Sequence, residues 1–157
     1  MVMITLITAI GAPIKRCFDL ARCIDAHLGS AASSAEQAIS GVTAGLIGLN
    51  QHVTWRGRHF GFWYTHTSRI TVFEPPVFFQ DSMVKGAFKS FCHDHCFEHR
   101  DGLTTMTDIL RFEAPYGWLG KMAECLFLKT YLRRFLEKRN QFLKRTAESE
   151  DWKRFLL

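Results

Sequence analysis

The feature that most constrains the fold is a run of strand-like segments that is followed by one long helical segment. Positions 36 to 114 alternate between apolar and polar residues and break at glycine and proline, as strands do. The segment from Leu119 to Ala147 carries apolar residues at helical spacing, with Arg and Lys on the opposite face. Because the strands run together instead of alternating with helices, the sequence predicts an α+β fold with an antiparallel sheet.

The N-terminal residues add one strand and two short helices to this order. The segment from Val2 to Ile10 is rich in β-branched residues and predicts a buried strand. Pro13 is typical of a first helical position, and the apolar residues after it predict two short helices that end near Gly29. The predicted order is therefore a strand, two short helices, a run of about six strands and a long terminal helix.

The first half of the terminal helix has an unusual composition. From Leu119 to Leu128 it is apolar on nearly every side, whereas its second half has a narrower apolar stripe. A helix that is apolar all round is normally buried. We therefore expect the first half to be covered on more than one side.

Composition favours an ordinary globular protein and argues against nucleic-acid binding. The chain has 157 residues, which predicts a single domain spanning 1–157. Its 20 basic and 15 acidic residues give a net charge of +5, without the dense basic stripe of a dedicated nucleic-acid binder. The 14 Phe and 4 Trp residues suit a large core or an interior that contacts an apolar ligand. We therefore expect no nucleic-acid partner.

Cysteine content and the N-terminal segment bear on localisation. The five cysteines are an odd number, and no secretory signal is evident, which predicts free thiols in a reducing cytoplasm. The apolar segment at the N-terminus lacks a basic region and a cleavage site, and it is far shorter than the ~20 residues that span a bilayer. We therefore expect a cytoplasmic protein with no stable membrane insertion.

The segment from Phe88 to Phe97 is the most informative for function, because it combines aromatic residues, histidines and cysteines. In a strand, alternation places Phe91, His93, His95 and Phe97 on one face and both cysteines of the segment on the other. Aromatic rings and imidazoles on one strand face suggest the wall of a mixed cavity. The histidines and cysteines project to opposite faces, so they cannot close one tetrahedral zinc site.

Several phrases along the chain resemble the START/birch-pollen-allergen superfamily, also called SRPBCC or polyketide cyclase-like, and within it the small bacterial ligand-binding proteins. The matching phrases cover nearly the whole chain and comprise Ala12–Leu20, Thr43–Gly48, Val53–Gly61, Lys85–Phe88, His93–Phe97, Asp108–Gly117 and Arg139-Asn140. The resemblance implies a helix-grip fold, in which a curved sheet of about six or seven strands wraps around the long C-terminal helix and leaves a hydrophobic cavity between them. It implies no catalytic residue, because the superfamily has no universal catalytic motif.

A polar group of side chains is predicted inside this cavity. With the alternation above, His59, His93, His95 and Asp108 come from three strands and point into one space. Four interpretations are open: a structural network that fixes strand register, a polar patch that orients a ligand, an acid/base pair of His95 and Asp108, and a metal site. Of these we favour the first two, and we predict neither a metal ion nor a cofactor.

The remaining cavity wall is expected to be apolar. Together with the four polar residues, the ligand-binding set comprises Trp55, Phe97, Phe112, Met122 and Phe127. Glycines at 117 and 120 would allow the helix end to move, so we expect the entrance between this hinge and the loop at residues 74–78.

The predicted function is binding of a small hydrophobic or lipid-like ligand, without chemistry of its own. The main alternative is a polyketide cyclase/dehydratase-type enzyme that uses His95 and Asp108. A third class is an interaction module that uses the basic outer face of the terminal helix. Common nucleotide enzymes and hydrolases are disfavoured, because the sequence has no P-loop, no Gly-rich dinucleotide fingerprint and no nucleophile elbow.

Overall fold

The fold is dominated by one antiparallel sheet of seven strands, as predicted. The structure is a computed structural model that describes the backbone of residues 1–157 and every side chain except that of Ser33. The strands lie in the order β1-β7-β6-β5-β4-β3-β2. Their bounds are β1 Val2–Ile10, β2 Gln37–Gly41, β3 His52–His59, β4 Phe62–Glu74, β5 Phe78–Lys85, β6 Ser90–Arg100 and β7 Leu103–Glu113.

The helices fall into two groups, one after β1 and one at the C-terminus. The first group is α1 (Ile14–Ala21) and α2 (Ile24–Ser30). The C-terminal helix runs without a break through α3 (Gly117–Ala123), a π-helical turn (Glu124–Leu128) and α4 (Lys129–Glu148). A short helix that the sequence pattern does not predict, α5 (Lys153–Leu156), ends the chain. The curved sheet and the long helix confirm the predicted helix-grip fold.

Strand register brings the polar residues of three adjacent strands together. His95 of β6 pairs with Asp108 of β7, and His93 of β6 pairs with Asp81 of β5. Side chains alternate along each strand, so all four residues project from the same face of the sheet. On β7 this face carries Met106, Asp108, Leu110 and Phe112, all of them buried, as the alternation predicts.

A cluster of phenyl rings packs α1 onto this face. The ring of Phe18, 1% exposed, lies 5.6 Å from Phe73, 5.4 Å from Phe79 and 5.5 Å from Phe97, measured between centroids. Distances of this size are typical of favourable aromatic pairs. The cluster fixes α1 and α2 across one end of the sheet, where they also contact α4.

The first half of the terminal helix differs from the expectation that it is covered. Trp118 and Leu126 are 70% and 71% exposed, and Leu119 and Met122 are about half exposed. The buried part of the helix is α4, where Leu136 and Leu143 pack against the sheet and α1–α2. Two polar residues, Arg139 and Asn140, are also buried on α4, although Arg and Lys were expected only on the solvent face.

No helix in the part of the chain that the structure describes combines the length and the apolar composition that a membrane span needs.

Candidate functional site

A large cavity lies between the inner face of the sheet and α4. Its volume is about 1070 Å³, slightly above the roughly 300–1,000 Å³ typical of small-molecule sites. Most of its wall is apolar. The apolar part includes Trp55, Ile70, Phe79, Phe91, Leu110, Leu132, Phe135 and Leu136.

Exposed aromatic residues mark the mouth of this cavity. Phe60, Phe62 and Tyr64, around the β3–β4 turn, line the cavity and are 51%, 68% and 40% exposed. Tyr116, immediately before α3, also lines it and is 84% exposed. The exposed lining residues therefore lie at the β3–β4 turn and at Tyr116, next to the expected hinge at residues 117–120. The structure describes every residue of the loop at 74–78, and none of them lines the cavity.

The hinge beside the mouth is held by two close contacts. The buried carboxylate of Glu124 accepts a hydrogen bond from the backbone N–H of Ala114, with an O–N distance of 2.6 Å. Gly120 lies directly against the carbonyl of Pro115, so a Cβ at this position would be only 2.1 Å from that oxygen. Glycine is needed here for close approach, and the hinge is packed rather than loose.

Replacing Gly120 with alanine should therefore destabilise the protein by about 1–3 kcal/mol, because the backbone of the hinge must move. Urea denaturation measures the change. Gly48→Ala is the matched control, since its added Cβ would make only an ordinary 3.5 Å contact with Gln51. Equal denaturation midpoints for the two variants would contradict the packed hinge.

One wall of the cavity carries two histidines between two carboxylates. The Nδ1 of His95 is 2.9 Å from Oδ1 of Asp108, and its Nε2 is 3.0 Å from Oδ2 of Asp81. The Nε2 of His93 is 3.0 Å from the same Asp108 oxygen, and its Nδ1 is 4.0 Å from Asp81 Oδ2. Each imidazole thus has one nitrogen facing Asp108 and the other facing Asp81.

Two residues of α4 contact the Asp108 carboxylate and are themselves held by further hydrogen bonds. Asn140 donates to its Oδ2 at 2.7 Å, and an Arg139 nitrogen is 3.4 Å from its Oδ1. Asn140 also donates to Thr8, and Arg139 donates to the carbonyl of Ala21. Burial raises the pKa of the Asp108 carboxyl, but the contacts with His93, His95 and Arg139 outweigh it and hold this pKa well below the usual value. Asp108 is therefore an ionised, immobile group.

The two histidines have opposite electrostatic environments although their ring centroids are only 3.9 Å apart. For His95, burial lowers the pKa, but the contacts with Asp108 and Asp81 on both sides outweigh it and raise this pKa. For His93, burial and the charge of His95 together lower the pKa below its usual value. Two adjacent imidazolium ions repel each other, so protonation of one ring disfavours protonation of the other.

His59 belongs to a separate polar group at another part of the wall. Its Nε2 is 3.6 Å from the carboxylate of Glu36, which also contacts His27 at 2.7 Å, and its Nδ1 contacts the hydroxyl of Tyr131. Burial raises the pKa of Glu36, but the hydrogen bond with His27 and the nearby imidazoles outweigh it and lower this pKa. This position differs from the expected grouping of His59 with His93, His95 and Asp108.

The predicted ligand-binding residues fall into two sets. Five of them line the cavity: Trp55, His59, His93, His95 and Phe127. The other four do not. Phe97 is taken up by the phenyl cluster, Phe112 packs against Ile4, Leu110 and Leu136, and Asp108 lies behind the histidines. Met122 points to solvent on α3.

Two cavity residues next to the histidines were not predicted, Asp81 and Arg139. Asp81 follows Phe79 by two positions on β5, so alternation from that apolar residue would have placed it on the inner face. Arg139 lies one turn after Leu136, on the apolar stripe of α4. A charged residue on such a stripe indicates a buried partner, which here is Asp108.

On β6 the two cysteines lie on the outer face of the sheet and the two histidines on its inner face, as predicted. The thiol of Cys92 contacts the hydroxyl of Ser82, and Asp94 beside it pairs with Arg111 and Gln80. All five cysteines of the chain are free. The segment therefore forms no site from histidine and cysteine together.

Comparison with known proteins identifies the fold. No protein-family model matches the sequence, and no curated protein matches it. Among solved structures, TTHA0849 from Thermus thermophilus has a TM-score of 0.75 and 13% identity, over 93% of this chain and 97% of that one. Major latex-like protein 151 from Panax ginseng has a TM-score of 0.69 and 13% identity, over 94% and 98%. Ara h 8.0201 has a TM-score of 0.60 and 9% identity, over 90% and 97%.

At these identities the likeness concerns the fold. The chain has the helix-grip fold of the START/birch-pollen-allergen-like proteins, and the resemblance inferred from its sequence is confirmed at that level. Proteins of one fold carry out different functions, so function has to be inferred from the site.

Proposed function

We propose that this protein binds a small hydrophobic or lipid-like molecule in the cavity between the sheet and α4. The observation that carries the proposal is a cavity of about 1070 Å³ whose wall is mostly apolar. Sites of this kind bind the apolar body of a ligand by burial and orient it through a small number of polar contacts.

The polar groups define how such a ligand would lie. His93, His95 and Arg139 line one part of the wall, where the Arg139 guanidinium is a permanently charged donor. Tyr131 and His59 line another part, nearer the aromatic mouth at Phe60. We infer that the oxygenated end of the ligand contacts the deep histidine–arginine wall, while its apolar body contacts the aromatic rings.

Binding is favoured over acid/base catalysis by the arrangement of the imidazoles. A catalytic base must present a nitrogen within hydrogen-bond reach of its substrate. Both nitrogens of His95 instead face carboxylates, at 2.9 and 3.0 Å. His95 is thus better placed to hold the wall together than to move a proton to or from a ligand.

Native mass spectrometry of gently purified protein is the direct test of this function. An added mass of a few hundred daltons that disappears on denaturation would support ligand binding and provide the molecule for identification. The apolar fluorophore anilinonaphthalene sulfonate gives a second readout, because its emission rises when it enters an apolar cavity.

Filling the cavity should block binding of that fluorophore. Leu132 lines the cavity from α4 and is partly buried beside Leu136, so the larger side chain of tryptophan at this position should occupy part of the cavity. We expect Leu132→Trp to weaken fluorophore binding about 10-fold or more while the urea midpoint stays close to that of the wild type.

The matched control is Ile7→Trp, which makes a similar change at a side chain that is 72% exposed on β1. It should leave fluorophore binding unchanged. Equal affinities for the two tryptophan variants would place the bound fluorophore outside the cavity and would contradict the proposed function.

A further inference from the structure

We propose that Asp81, His93 and His95 form a binding site for one divalent first-row transition-metal ion, such as Zn²⁺ or Fe²⁺, in the wall of the cavity. Three observations carry this proposal: the distances among the donor atoms, the carboxylate behind the histidines, and the open side toward the cavity. It stands on these side chains and does not depend on the proposed ligand-binding function.

The three residues bring their donor atoms together at ligand spacing. One donor from each residue lies within 4.8 Å of the other two. Oxygen and nitrogen ligands bind zinc at about 2.0–2.2 Å, so two donors on one tetrahedral ion are about 3.3–3.6 Å apart. His95 Nε2 is 3.0 Å from Asp81 Oδ2, and His93 Nδ1 is 4.0 Å from the same oxygen. Movements of a few tenths of an ångström in the two rings would bring both distances into this range.

Asp108 provides what metal-binding histidines usually have, a carboxylate behind the ring. A histidine ligand commonly donates its second N–H to a carboxylate, which fixes its tautomer and makes the other nitrogen a better donor. His93 Nε2 and His95 Nδ1 both lie within 3.0 Å of Asp108 Oδ1. Both nitrogens are buried but lack a well-aligned hydrogen bond. Rings turned to coordinate an ion would aim these N–H groups at Asp108, itself fixed by Arg139 and Asn140.

The charges of the wall also suit a cation. Among the side chains that the structure describes, Asp81 and Asp108 have ion pairs with one permanent cation, Arg139, which pairs with Asp108. Without a metal, His95 Nε2 and Asp81 Oδ2 form a hydrogen bond of 3.0 Å. A metal ion bound to Asp81, His93 and His95 would replace that hydrogen bond and offset the charge of the two carboxylates.

The ligand set and its exposure define the kind of site. Two imidazoles and one carboxylate are typical of catalytic zinc and of non-haem iron, and both leave coordination positions open. Asp81, His93 and His95 all line the cavity, whereas Asp108 does not. The open positions would therefore face the cavity, where an oxygen of a bound molecule could occupy one of them.

This site differs from the metal hypothesis that the sequence raised. That hypothesis grouped His59 and Asp108 with the two histidines. In the structure His59 contacts Glu36 and Tyr131 instead, and Asp108 lies behind the rings. The proposed ligands are therefore His93, His95 and Asp81, without His59 or Asp108.

Titration of chelator-treated full-length protein with Co²⁺ tests the site, because the visible bands of Co²⁺ report both stoichiometry and ligand type. We expect one ion per chain and bands typical of nitrogen and oxygen ligands, without the near-ultraviolet charge-transfer bands of thiolate coordination. Calorimetric titration with Zn²⁺ should give the same stoichiometry.

Two ligand variants and one control make the assignment specific. Asp81→Asn and His93→Gln should each weaken Co²⁺ binding by more than about 100-fold, since loss of even an outer partner of a metal ligand costs about 10–100-fold. Asp81 is partly exposed at the cavity wall, so its variant should remain folded, which its circular dichroism spectrum checks. His52→Gln, at an exposed histidine of β3, should bind Co²⁺ as the wild type does.

Three results would overturn the proposal: no saturable binding of Co²⁺ or Zn²⁺, binding that both ligand variants retain, or spectra dominated by thiolate bands. In the first case, nitrogen NMR showing protons on both nitrogens of His95 would establish that a proton, rather than a metal, bridges Asp81 and Asp108.

Discussion

Replacing Asp108 with alanine should destabilise the protein by about 3–5 kcal/mol, because the change leaves the buried Arg139 guanidinium without its carboxylate. Asp108 is 0% exposed, and it contacts residues of β6 and α4 at once. A loss of this size is a large part of the roughly 5–15 kcal/mol that holds a typical domain folded. Urea denaturation, followed by circular dichroism, measures it.

Asp151→Ala is the control for this prediction, because the Asp151 side chain is exposed near the C-terminus. It should not change the denaturation midpoint measurably. A midpoint for Asp108→Ala close to that of the control would show that the buried network contributes little to folding. The interpretation of Asp108 as a structural anchor would then be wrong.

Phe18→Ala should have a similar effect, a loss of about 3–5 kcal/mol, because it empties the centre of the phenyl cluster. The Phe18 ring contacts Phe73, Phe79 and Phe97, which lie on three strands of the sheet. Thermal unfolding should shift downward by on the order of 10 °C for a chain of this size.

Phe62→Ala is the matched control, because the Phe62 ring is 68% exposed at the cavity mouth. Its melting temperature should stay at the wild-type value, while its affinity for an apolar fluorophore can change. If Phe18→Ala left the melting temperature unchanged, α1 would not depend on the phenyl cluster for its position.

These stability predictions are compatible with a functional role for the neighbouring histidines. Asp108 and Arg139 connect β7 to α4, and His93, His95, Asp81 and Arg139 line the cavity. The same group can therefore fix the position of the helix and offer polar contacts or metal ligands to the interior. Variants of Asp81 separate the two roles, because its hydrogen bond and ion pairs are with His93 and His95 of β6.

Much of the sheet could be predicted from the sequence, because alternation is a local property. The spacing of Val53, Trp55 and His59 on β3 and of Met106, Asp108 and Leu110 on β7 identifies the inner face of each strand. The opposite faces of the histidines and cysteines on β6 follow from the same rule. The order of elements, together with the resemblance, predicted the helix-grip fold.

The composition of the site depended on contacts between elements that are far apart in the chain. Alternation shows that His59 faces inward, but only the strand order places it beside Glu36 and Tyr131, several strands away from His93. Asp81 becomes a neighbour of His95 through the pairing of β5 with β6.

Local pattern therefore determined the strands, their inner faces and the long helix, because the periods of a strand and a helix are properties of the backbone. Tertiary packing alone decided which inward residues meet, which line free space and which fill the core. Phe97 and Phe127 illustrate the difference: both are aromatic residues expected at the cavity, but one is enclosed by the phenyl cluster and the other borders the mouth. That outcome depends on how α1 and α4 pack on the sheet, and residue spacing carries no information about distances between separate elements.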